Sequence, residues 1–219
     1  WHKQSKKLWF VGLPLLSGRI KGKTKKGLRN IVEKYALDVR LTPNQDLLLC
    51  NIGNYQKNSV NNDLIKIGFR NPGNPDPLAK HAIACPALPL CGLAMTEAER
   101  FLPELLDRIN NQLKRLGINK SILTRVTGCP NGCARPYMAE LALVGSGSNQ
   151  YQLWLGGSRD LKRLATPYLQ KMPINDLETT LEPLFLSWKD TGKSSSLGDH
   201  VTRLGNENVL SLLTSNAAP

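Results

Sequence analysis

The chain contains no apolar run near the roughly 20 residues that a helix needs to cross a bilayer, so it reads as a soluble protein with no membrane partner. It shows no internal repeat, and its three histidines, His2, His81 and His200, are too dispersed to form a metal-ligand spacing. No signal or transit segment precedes the first apolar run, and the chain opens on Trp1 rather than Met, which is expected of a piece of a longer protein. Cysteine is scarce at five residues. Without a secretory leader they argue against a disulfide framework and for a reducing compartment. Acidic residues are also scarce, 17 against 29 Lys and Arg.

That imbalance is concentrated at one end. Residues 1–34 carry ten cations, Lys3, Lys6, Lys7, Arg19, Lys21, Lys23, Lys25, Lys26, Arg29 and Lys34, against Glu33 alone. Such a stretch is either a solvated basic face or a field that speeds encounter with an acidic partner and gathers small anions. Nucleic acid would be held only non-specifically, if at all.

With 219 residues there is room for one large or two small domains. The first part alternates: LWFVGL as a strand, KTKKGLRNIVEKYA as a helix, DVRLT and LLLCNI as strands joined by the turn TPNQD, and NNDLIKIGF as a second helix. Together these predict a compact α+β unit over residues 1–70. The run NPGNPDP at 71–77 cannot continue either periodicity and marks a boundary, with a second domain over 78–219. There, Thr96 and Glu99 have capping-box spacing ahead of an amphipathic helix to about Leu116, with Pro103 tolerable in its first turns. ILTRV reads as a strand ending at Cys129, MAELALVG and YQLWLGG as strands joined at Gly145 and Gly147, and INDLETTLEPLFLSWKD as a helix weakest at Pro183.

The chemistry lies in Cys85-x5-Cys91 and Cys129-x3-Cys133. Two thiolate pairs can turn inward on one centre and supply the four soft ligands of an iron–sulfur cubane or a structural zinc. Structural zinc pairs are usually closer together, so the wide first pair favours iron–sulfur, with a non-enzymatic four-cysteine zinc module as the alternative. Cys50, in the apolar LLLCNI, reads as a small buried hydrophobe.

The stretches ACPALPLCGLAMTEAERFLP and RVTGCPNGCARPYMAELALVG, followed by YQLWLGG, resemble the nitrite and sulfite reductase family, and within it the ferredoxin-dependent sulfite reductases of plastids and cyanobacteria. The likeness extends more loosely to RLTPNQDLLLCNI and SLGDHVTRLG. It implies an α+β fold: a ferredoxin-like half-domain, then a mixed domain holding a 4Fe-4S cluster and siroheme, the whole being the C-terminal part of the enzyme. It implies that Cys85, Cys91, Cys129 and Cys133 ligate the cluster, that Cys133 also serves the siroheme iron, and that the activity is six-electron reduction of sulfite to sulfide with ferredoxin as donor. Ferredoxin-nitrite reductase is the alternative within the family. Location would be the cytoplasm of a cyanobacterial-type cell or the plastid stroma. Asn131 is the nearest amide for siroheme carboxylates; Thr42, Asn44 and Gln45 resemble a family strand near the macrocycle. Arg125 and Arg135, bracketing the motif, are either solvated surface or neutralisers of cluster or carboxylate charge. The family's substrate-binding cations belong to sequence upstream, so no catalytic residue is assigned.

Overall fold

The structure, a computed structural model, describes residues 1–69, 72, 76–191 and 195–215. It divides into two compact units, Trp1–Lys80 and His81–Pro219. Asn71 and residues 73–75 of the 71–77 breaker run lie outside the described residues.

The first unit runs β1 (His2–Lys3), β2 (Leu8–Leu13), α1 (Gly22–Tyr35), β3 (Asp38–Leu41), β4 (Leu47–Gly53) and α2 (Lys57–Lys66). Its sheet is antiparallel in the order β1-β2-β4-β3. Apolar residues alternate on the inner strands, so Val11 and Leu13 of β2 and Leu47, Leu49 and Ile52 of β4 form one buried cluster with Leu28 and Ile31 of α1 and Val60 and Leu64 of α2. α1 ends in a left-handed residue at Ala36, whose neighbour Leu37 donates back to the Val32 carbonyl at 3.0 Å. The second helix starts at Lys57 and stops at Lys66, earlier at both ends than NNDLIKIGF suggests, because Ile67 and Gly68 tighten its last turn. In TPNQD the Thr42 hydroxyl accepts from the Asn44 and Asp46 amides at 3.3 and 3.1 Å. Turn formation therefore accounts for Thr42.

The second unit runs β5 (Ile83–Ala84), α3 (Leu102–Arg115), β6 (Thr124–Thr127), β7 (Leu141–Gly147), β8 (Gln150–Leu155), β9 (Thr166–Pro173), α4 (Leu177–Lys189), α5 (Leu197–Leu204) and α6 (Asn206–Thr214). The sheet order is β5-β6-β7-β8-β9, with β5, β6 and β7 parallel and β7, β8 and β9 antiparallel. The α+β class holds for both units. All four β6 residues are buried, as a strand covered on both faces must be. α3 buries Leu102, Leu105, Leu106, Ile109 and Leu113, the stripe its spacing predicts. It is tied to α4 by Arg108, which pairs with Glu178, and by Gln112, which donates to the Glu178 carbonyl at 2.7 Å.

Two local expectations are corrected. Thr96 does not cap α3, which begins at Leu102 with Pro103 in its first turn; Thr96 is buried and donates instead to the Tyr151 hydroxyl at 3.3 Å. Gly145 and Gly147 do not make the turn between β7 and β8. They belong to β7, and the chain reverses at Ser148 and Asn149, the latter in the left-handed region.

Candidate metal centre

β5 and β6 lie side by side and parallel, with Ile83 opposite Arg125 and Ala84 opposite Val126, so both deliver the chain to the same edge of the sheet. Cys85 follows β5 directly, and its amide donates to the Val126 carbonyl at 3.2 Å. Cys129 comes two residues after the end of β6. The edge beyond the carboxyl ends of parallel strands is where open sheets place ligands. Cys85 and Cys129, 44 residues apart in sequence, are brought to that edge by strand pairing.

The intervening Gly128 stitches the two loops together. Its amide donates to the Cys85 sulfur at 3.2 Å, and its carbonyl accepts from Met95 at 2.7 Å and Thr96 at 3.3 Å. The Cys91 amide donates to the Ala87 carbonyl at 2.8 Å, closing the 87–91 turn. A Cβ on Gly128 would stand 2.7 Å from both the Ala87 methyl and the Thr96 carbonyl oxygen, and one on Gly145 would stand 2.3 Å from the Gly128 oxygen. Only glycine fits this approach of three backbones. On the far side, the Arg135 amide donates to the Gly132 carbonyl at 2.7 Å, and Tyr137 donates its hydroxyl to the Pro130 carbonyl at 2.6 Å. The CPNGC turn is therefore held at both ends.

The five cysteines are free thiols. Cys50 is buried within the first unit, in β4, while the other four lie in the second. Cys85 and Cys129 are buried, Cys91 is half-buried and Cys133 is exposed. Burial pushes the Cys85 thiol up; the Gly128 and Ala87 amides act to lower it, and proximity to Cys133 and Cys129 acts to raise it. Cys129 and Cys133 are thus close enough for Cys85 to feel their charge. Among the described residues no three His, Cys, Asp or Glu side chains stand close enough to share a single ion. A cubane is a larger body whose thiolates stand farther apart, and four free cysteines with two amides on the innermost sulfur suit its donor set.

Sequence reasoning places the cysteines but misses their supports. Tyr151 of β8, buried and pushed up to about 12 chiefly by that burial, donates to the Glu97 carbonyl at 2.7 Å, locking the loop between Cys91 and α3. Glu140, fully buried, accepts from the Leu123 amide at 2.8 Å, Arg159 at 3.0 Å and the Gly198 amide at 3.2 Å, so one carboxylate fastens the approach to β6 to the start of α5. The signal for Glu140 is its place immediately before an apolar strand, where a charge needs partners. Arg125 is not solvated surface: it is 1 % exposed and donates to the Arg135 carbonyl at 2.9 Å. Asn131, like Cys133, is exposed. Leu90 and Leu93, about two-thirds exposed, and Met95 give that loop an apolar surface.

Residues 2–67 match the nitrite/sulfite reductase ferredoxin-like half domain. The chain is 46% identical over 211 residues to a ferredoxin sulfite reductase of Synechococcus elongatus, covering 94% of this chain and 34% of that protein. The chain belongs to the nitrite and sulfite reductase family. It is also 38% identical over 208 residues to an NADPH sulfite reductase hemoprotein beta-component of Oceanobacillus iheyensis, covering 92% of this chain and 36% of that one. The chain thus spans about a third of the length of these curated relatives. In fold it matches the NirA protein of Mycobacterium tuberculosis, with a TM-score of 0.76 at 20% identity over 91% of this chain and 39% of that one. It matches a dissimilatory sulfite reductase I with a TM-score of 0.70 at 11% identity, over 96% and 70%.

Proposed function

We propose that this chain supplies the cluster-bearing part of a ferredoxin-dependent sulfite reductase, in which six electrons and seven protons convert sulfite to HS⁻ and three waters. What supports the reading is that parallel β5 and β6 bring Cys85 and Cys129 to one sheet edge, with the Gly128 amide on the Cys85 sulfur. The first unit serves as the ferredoxin-like half-domain and the second as the cofactor-binding part. Cys85, Cys91, Cys129 and Cys133 would hold a 4Fe-4S cluster, and the exposed Cys133 would also serve a siroheme iron.

When bound, these groups supply one-electron storage and an open iron face for the sulfur of the substrate. The chain's own part is to hold and tune. Gly128 and Ala87 point amides at Cys85, and such bonds stabilise added negative charge on a cluster. Burial of Cys85 and Cys129 keeps water from two of the four ligands. The CPNGC turn, fixed by Arg135 and Tyr137, presents Cys133 outward, and Asn131 beside it offers an amide to a macrocycle carboxylate. The basic stretch of the first unit suits an acidic electron carrier such as ferredoxin.

The test is on the full-length protein: visible absorption, iron and acid-labile sulfide, and turnover of sulfite and nitrite with reduced ferredoxin. A coloured protein with a higher kcat/KM for sulfite is expected. A colourless zinc protein overturns the reading, and a higher kcat/KM for nitrite reassigns the substrate.

A further inference from the structure

Arg125 is one of the largest fully buried side chains in the protein, yet among the described residues it pairs with no carboxylate. Its Nη1 donates to the Arg135 carbonyl, its Nε has no partner, and the nearest charge acting on it is another cation, Arg135. Burial, helped by Arg135, lowers the guanidinium to about 10, so it stays charged at neutral pH. A buried charge without a counter-ion costs several kcal/mol, and native proteins rarely leave one in place. Glu140, the fully buried carboxylate of this unit, is already engaged by Arg159.

A second open group lies beside it. Side chains two apart on a strand share a face, so Arg125 and Thr127 of β6 point the same way, and the Thr127 hydroxyl is also buried without a partner. The strand therefore carries a free cationic N–H and a free hydroxyl immediately before Gly128 and Cys129. Among the groups at this edge able to become negative are the cysteine thiols. Four thiolates, four sulfides, two ferric and two ferrous irons sum to a charge of −2, and to −3 after one-electron reduction.

We propose that Arg125 is a positioning residue and the built-in counter-charge of the thiolate centre, holding the Cys129–Arg135 loop through the Arg135 carbonyl while its charge balances the assembled cluster. The inference rests on the iron–sulfur reading above. A fixed buried cation favours the more negative oxidation state, so it raises the cluster's reduction potential.

The test compares Arg125→Gln, which keeps an N–H donor without charge, with Arg125→Lys, which keeps charge without the fork, in the full-length, cofactor-loaded protein. Iron and acid-labile sulfide are counted, and the midpoint potential is measured by titration followed by electron paramagnetic resonance. The potential of Arg125→Gln is expected to shift negative, with Arg125→Lys staying near the parent value. If Arg125→Gln takes up no iron while Arg125→Lys does, charge is required for assembly and the proposal stands. Potentials unmoved in both loaded variants, or equal shifts or equal loss of iron in both, overturn it. Absence of iron and sulfide from the parent protein instead overturns the cluster reading itself, so the two failures are distinguishable.

Discussion

At the residue scale the site depends on atoms that are absent as much as on sulfurs that are present. Gly128 has no room for a methyl, because the Ala87 side chain and the Thr96 carbonyl already stand where it would go. Gly128→Ala must push the Cys85 and Cys129 loops apart, at a cost of about 1–3 kcal/mol for an overpacked position. The expected outcome is a folded protein with a lowered melting temperature that loses most of its iron, checked by calorimetry and metal analysis. Full iron occupancy in Gly128→Ala would show that the three-backbone contact is not needed by the centre.

His200 is a residue of stability rather than chemistry. It is buried, accepts from Arg203 on Nδ1 at 3.1 Å and therefore donates from Nε2 to the Ser187 hydroxyl at 2.9 Å. Burial, then Arg203 and Lys120, push its pKa below the ordinary 6.5. The unfolded chain then binds the proton more readily than the folded one. The stability this histidine contributes is complete above about pH 6.5 and is lost as pH falls through the lower folded value. Melting curves from pH 7.5 to pH 5 should show a steeper fall for the parent than for His200→Asn; equal slopes would remove the histidine from the acid response.

At the scale of elements, α1 is the anomaly. Its first turns carry Lys23, Lys25 and Lys26 and no acid, although the amino end of a helix already bears partial positive charge and each cation there costs about 0.3–1 kcal/mol. Nothing in the packing of the first unit explains cations there; the proposed attraction of an acidic carrier would. Reversing Lys23, Lys25 and Lys26 to Glu should stabilise the first unit and slow association with ferredoxin, while turnover with a small artificial donor stays intact. Raising salt should mimic the reversal, since the screening length falls from about 30 Å at 0.01 M to about 8 Å at 0.15 M. A stopped-flow association rate indifferent to both would leave these lysines as solvated surface.

How much of this could be read beforehand varies with the element. α1, β2, β4, α3 and α4 follow from apolar periodicity, because each buries one stripe or face and its sequence shows it. β9 does not: TPYLQKMP has a proline near each end and alternates poorly, since an edge strand needs only one partner. α5 carried a signal that was there to use, Ser196 three residues before Asp199, and the Ser196 hydroxyl does accept from the Asp199 amide at 3.1 Å. The Thr96 capping box misled because tertiary structure claimed its hydroxyl for Tyr151. Arg125 was unreadable for the same reason: a lone arginine looks solvated until the strands on both sides of β6 are in place.

At the scale of the whole molecule, a parallel pair of short strands brings Cys85 and Cys129 to one sheet edge from distant sequence, while Cys50 lies buried in β4 of the other unit. The most direct test replaces each of the five cysteines by serine, a hard and poor ligand for cluster iron, in the full-length protein and counts iron and acid-labile sulfide per chain. Cys85→Ser, Cys91→Ser, Cys129→Ser and Cys133→Ser should each lose the cluster or hold it incompletely, while Cys50→Ser keeps the parent content. Undiminished iron and sulfide in any of the first four, or loss of both in Cys50→Ser with the fold intact, would contradict the assignment of these four thiolates to one centre.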